Sequence, residues 1–151
     1  MRLVCLFLII YPLSLFSQIK IDKAGDGWDL KIDSAIQLIK QTDLPKYQLL
    51  DSVCSSISFW VSEFSSCELT DSTGVIYVAV KDVKLNSINN LAAVLVHESF
   101  HLYLRKREII LTPNQEEYFC YYYELGLINK LSNVEDWLIQ HTKQQIINNS
   151  K

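Results

Sequence analysis

Residues 91–104 constrain this chain more than any other stretch. Set on a helix they are apolar on nearly every side, and a helix of that kind must lie at the centre of a fold. The helical pattern runs over about 87–106, and Arg105, Lys106 and Arg107 suit its C-terminal end. Yet its middle reads His97-Glu98-Ser99-Phe100-His101. Ala93, Val94 and Leu104 share the histidine face, while Leu95, Val96, Phe100 and Leu102 cover the rest. Two imidazoles and a carboxylate buried in such company without partners would cost several kcal/mol, so something polar must meet them.

The spacing H-E-x-x-H says what that partner can be. Residues i and i+4 of a helix are neighbours on one face, so both imidazoles can reach one ion at the roughly 2.0–2.1 Å that zinc requires. Glu98 is turned by about 100° from His97, beside such an ion rather than forced onto it. The competing interpretation, a polar surface stripe of an amphipathic helix, is at odds with the apolar residues on every flank. A divalent metal meets all three side chains at once.

The rest of the chain divides readily. Ile32, Ala35, Ile36 and Ile39 fall at i, i+3, i+4 and i+7, the stripe of a helix ending near Asp43. After Pro45, the residues Tyr47, Leu50, Cys54, Ile57, Val61 and Phe64 continue at spacings of three and four, which predicts a second, longer helix. Gly74 introduces residues 75–80, a β-branched and aromatic run that reads as a strand with both faces largely covered. Residues 68–70 are its expected hairpin partner. Thr112, Pro113 and Gln115 form a capping box that opens a helix to about Leu131, with Gly126 as an internal weak point. Ser132 and Glu135 repeat the box, and the helix they start is expected to turn Val134, Trp137, Leu138 and His141 toward the core. The expected class is α+β, a small sheet or hairpin packed on a helical cluster around the central, buried H-E-x-x-H helix.

With the helix that follows it, the motif resembles the zincin metallopeptidases, and within them the gluzincins. The metzincin branch needs a glycine and a third histidine soon after the motif, whereas His101 is followed by Leu102, Tyr103, Leu104, Arg105 and Lys106. Instead, Glu117-Tyr118-Phe119-Cys120 is similar to the glutamate helix of small gluzincins, with Cys120 at a position for a small residue and Tyr121 where that family has aspartate. The resemblance covers about 73–131. It implies a zincin-like fold, a Zn2+ ion held by His97, His101 and Glu117, and Glu98 as the catalytic carboxylate that takes a proton from a metal-bound water and delivers it to a leaving amine. It also implies that 75–80 is an edge strand on which extended substrate adds. Glu116 is the rival third ligand, and a helix dipole alone favours both glutamates. Glu124, two turns beyond Glu117, either orients a ligand histidine or is a solvated helix charge. Tyr118, Tyr121, Tyr122, Tyr123 and His141 are all candidates to stabilise an anionic intermediate.

Composition and termini bound the alternatives. The 151 residues are 49 % apolar and 21 % charged, which is globular, and the net charge of −3 with no long basic run argues against nucleic acid. Arg2 and the apolar stretch 3–16, closing at Ser17, read as a secretory signal peptide over 1–17. The stretch is shorter than the roughly 20 residues of a membrane span, so cleavage after Ser17 and no stable membrane insertion are expected; an uncleaved anchor is the alternative. A single domain over 18–151 would then be secreted or periplasmic, with a peptide or protein substrate as partner. Cys54 and Cys67 in that compartment are open to pairing as a disulfide or to burial as free thiols. Two other functions compete with a peptidase. One is an exported, non-catalytic domain that contains zinc or binds a protein through a relic site, and the other is a helical structural protein with an accidental motif. A structural metal site has no need of Glu98.

Overall fold

The computed structural model describes residues 19–23, 27–70, 73–80 and 87–151. The expected signal segment therefore lies outside the described residues. Among those described, no helix is long and apolar enough to cross a membrane.

The described residues form an α+β fold of five helices and a four-stranded mixed sheet. In chain order the elements are β1 (Lys20–Ile21), α1 (Trp28–Thr42), α2 (Leu44–Val53), β2 (Cys54–Trp60), β3 (Ser66–Thr70), β4 (Thr73–Ala79), α3 (Ile88–Lys106), α4 (Pro113–Ile128) and α5 (Asp136–Asn149). Helix α1 buries the expected Ile32, Ala35, Ile36 and Ile39 and stops at Asp43. Asp43 then caps α2, its carboxylate accepting from the Lys46 amide at 3.4 Å, with Pro45 in the first turn.

The longer second helix is not formed: α2 ends at Val53 and residues 54–60 turn into β2. Ser, Ile, Phe and Trp make this a poor helix and a good strand, and parallel pairing with β1 on one side and β4 on the other decides the outcome. Cys54 and Ile57 remain buried, but on a sheet, whereas Val61 and Phe64 lie beyond the strand with 73 % and 75 % of their surface exposed.

The hairpin of β3 and β4 forms as expected, antiparallel with Thr70 opposite Thr73. Burial along β4 alternates, with Ile76 and Val78 fully buried and Val75 and Tyr77 half-buried, so one face only is fully covered. The sheet order β1-β2-β4-β3 makes β4 an interior strand, which overturns its expected place at the edge; among the described residues the edges are the short β1 and, next to β4, β3. The same order removes the disulfide. Cys54 pairs in register with Gly74 and Cys67 with Ile76, so β4 lies between them and about 9.6 Å of sheet separates their strands, too far for a bridge. Cys54, Cys67 and Cys120 are all free.

Helix α3 packs against α1, α2, α4, β3 and β4. Leu91, Ala92, Leu95, Val96 and Leu102 enter the main core, and Ala93 enters a smaller one with Ile128 and Leu138. Ser87 caps its start, accepting from the Asn90 amide at 3.4 Å. The Thr112–Gln115 box is reciprocal: the Thr112 hydroxyl accepts from the Gln115 amide at 3.3 Å, and the Gln115 side chain accepts from the Thr112 amide at 3.0 Å. At Gly126 the missing side chain admits Lys46, whose Nζ would lie 3.3 Å from a Cβ there.

The second expected box does not form. Asn133 takes a left-handed turn with φ 54°, and α5 starts at Asp136 after Glu135, with no side-chain cap. Glu135 turns elsewhere, and hydrogen bonds from Ser87 and Asn89 at the start of α3 help hold its carboxyl below the usual range. Leu138 is buried as expected and Val134 and Trp137 half-buried, but His141 is exposed; the buried residue at that point of α5 is Thr142.

Candidate metal centre

Each functional side chain arrives by a local cause. The i, i+4 spacing puts His97 and His101 on the face of α3 turned away from the main core, with rings 5.0 Å apart. The Thr112 cap starts α4 so that its opening turns cross that face. His97, Glu98 and His101 are nearly buried, at 7 %, 8 % and 6 % exposure.

The near nitrogens of the two histidines converge with one carboxylate. His97 Nε2 lies 3.2 Å from His101 Nε2, and the two Glu117 oxygens lie 3.4 Å from His97 Nε2 and His101 Nε2 respectively. Donors about 2.0–2.1 Å from a tetrahedral ion are separated from one another by about 3.3–3.4 Å, so each of these three spacings is that of neighbouring zinc ligands, with one Glu117 oxygen turned to each histidine. Glu116 goes elsewhere. Its Oε1 sits 2.6 Å from His101 Nδ1, on the far side of the ring. Glu124, open in sequence between orienting a histidine and facing solvent, is 4 % exposed and holds His97 Nδ1 at 2.9 Å. Both histidines thus have a carboxylate on the outer nitrogen, which leaves the inner nitrogen's lone pair for a cation.

The electrostatics follow from this crowding. Burial opposes a charge on His97, but hydrogen bonds to Glu117 and Glu124, with the charges of Glu124 and Glu98, outweigh it and push it up to about 10. Hydrogen bonds from His101 and His97 hold the Glu117 carboxyl well below the usual carboxylate range. The cluster is a well for positive charge.

Glu98, His97, His101 and Glu117 line one cleft of about 430 Å³. One wall is 64–67, leading into the edge strand β3, and the other is Gln145 and Asn149 of α5. Of the five candidate oxyanion donors, Tyr121 lines this cleft, with its ring 4.4 Å from that of His97. Burial and then the Glu117, Glu124 and Glu98 charges push its phenol up, so it stays a proton donor. Tyr123 instead stacks on Phe100 at 4.4 Å, and Tyr118 and Tyr122 stack on each other.

Several residues here carried no sequence signal as site residues. Arg105 does more than end α3: its Nη1 donates to the Cys67 carbonyl at 2.7 Å, and Nη2 lies 3.5 Å from Glu116. The Cys67 thiol is pushed up by burial and by neighbouring Glu98, to which it hydrogen-bonds. Cys120 is fully buried, and one donor atom each from His97, His101 and Cys120 lie within 4.8 Å of one another. A thiolate sharing a tetrahedral ion with imidazole would stand about 3.5 Å from it, so Glu117 fits the third position better as the side chains lie. Burial and the Glu117, Glu116 and Glu98 charges push the Cys120 thiol up. No family profile matches the chain, and no match to it was found among curated proteins.

Proposed function

We propose that this chain is an exported zinc-dependent hydrolase with a zincin-like arrangement, a gluzincin-type metallopeptidase that cleaves peptide bonds. The observation that carries it is the triangle of His97 Nε2, His101 Nε2 and Glu117 at 3.2–3.4 Å, with Glu98 beside it in the same cleft. These residues would hold zinc as three protein donors, the open set of a catalytic rather than a structural site. A zinc ion bound there supplies Lewis-acid polarisation of the scissile carbonyl and acidifies the attacking water.

The chain's own groups supply the rest. Glu98 accepts the water's proton at its carboxylate and passes it to the leaving nitrogen. The Tyr121 phenol donates to the oxygen on which negative charge develops. An extended peptide aligns along β3, the edge strand, so that strand addition is retained from the family resemblance but moves from β4 to β3. Removal of 1–17 would release the mature protein outside the cytoplasm.

Cys120 favours a second reading. Were it to join His97, His101 and Glu117, four protein donors would close the site into a non-catalytic zinc domain. Glu98→Gln separates the two. In a peptidase it keeps zinc and loses turnover of a peptide library by roughly 100-fold or more; in a closed domain the parent has no turnover to lose.

A further inference from the structure

We propose that α5 is a working part of the metal centre: Thr142 fixes Glu124, Glu124 fixes His97, and Thr142 is thereby a positioning residue for metal binding. The inference rests on the metal reading above and extends it to a helix that contributes no ligand.

One turn after Glu117 stands Tyr121, which packs its ring against His97 at 4.4 Å and offers it no carboxylate. The carboxylate on His97 Nδ1 comes from Glu124, almost another turn along α4. A glutamate side chain with several rotatable bonds loses entropy when it is fixed and needs a partner to hold it. Thr142 provides it, its Oγ1 donating to Glu124 Oε1 at 2.7 Å while Oε2 serves His97 at 2.9 Å. Both carboxylate oxygens are therefore used, one by the imidazole and one by a hydroxyl from another helix.

Burial makes the clamp matter. Thr142 has no exposed surface and Glu124 has 4 %, so water has little access to replace a lost hydroxyl. The other histidine is held differently, because the Glu116 side chain is 25 % exposed and shared with Arg105, where solvent can substitute. With Nδ1–H committed to Glu124, the His97 lone pair stays at Nε2, facing His101 Nε2 and Glu117.

The test is the zinc dissociation constant of the full chain, measured by competition with a chromophoric chelator, together with the proton resonance of His97 Nδ1–H in the zinc-loaded protein. Thr142→Val, which keeps the shape and removes the hydroxyl, should weaken zinc binding roughly 10- to 100-fold and shift that resonance. Thr142→Ser should restore both. Should Thr142→Val fail to fold, Glu124→Gln reads the same link and should lose zinc affinity in the same range. Parent-like affinity and an unmoved resonance in Thr142→Val, or parent-like affinity in Glu124→Gln, would overturn the inference alone. A parent that takes up no zinc would overturn the metal reading, and this inference with it.

Discussion

At the scale of single residues, a charge buried near its own kind has measurable consequences away from the cleft as well as in it. Lys46 is 8 % exposed, with Nζ 3.2 Å above the Tyr123 ring. Burial lowers it to about 8, with Asp43 working against that shift and Lys130 adding to it. Between pH 8 and its ordinary 10.5 the unfolded chain keeps a proton on Lys46 that the folded chain has lost, so the contribution of this group to stability rises with pH through that window. Because His97, pushed up to about 10, and the raised buried thiols work the other way in both proteins, the contribution of Lys46 is read as a difference: from about pH 7 to about pH 9.5 the urea midpoint should change more favourably in the parent than in Lys46→Met; equal pH dependence in the two would contradict it. Legibility at this scale follows range. His97, Glu98 and His101 were readable because a helix relates them locally. Between Glu116 and Glu117 only the family resemblance chose Glu117, since a turn of about 100° along α4 alone decides which faces the inner nitrogens and which the outer. Thr142 left no trace, because its meaning depends on a carboxylate eighteen residues away.

At the scale of elements, Gly74 shows how tightly the sheet is seated. A Cβ there would lie 2.2 Å from the Val53 carbonyl oxygen and 2.7 Å from Leu102 Cδ1, where α2, β4 and α3 meet. Gly74→Ala should therefore destabilise the fold by about 1–3 kcal/mol in urea unfolding, and an unchanged midpoint would contradict this packing. The helices α1, α3 and α4 were legible from periodicity and caps, and the β3–β4 hairpin from its turn. Strand β2 was not, because Cys54 and Ile57 fall three apart and satisfy a helical stripe and a buried sheet position alike. The start of α5 was misplaced for a related reason. Ser132 and Glu135 have capping-box spacing, but a left-handed Asn133 between them and the pull of Ser87 and Asn89 on Glu135 break the box.

At the scale of the whole molecule, topology does what no local pattern announced. The crossover order β1-β2-β4-β3 sends the hairpin's outer strand to the rim of the cleft, and α5 returns along the other side to face it. A sequence reading fixes neither, since strand order is a property of long-range pairing. The result is a cleft lined by Glu98, Glu117 and Arg105 and centred on two histidines, whose outer nitrogens meet Glu116 and Glu124. The central claim is that this cluster is built for a metal ion. Elemental analysis of the purified protein beside His101→Ala and Glu117→Ala tests it most directly: the account predicts about one zinc per chain in the parent and its loss in both variants. A parent free of zinc, or variants that retain it in full, would contradict the account.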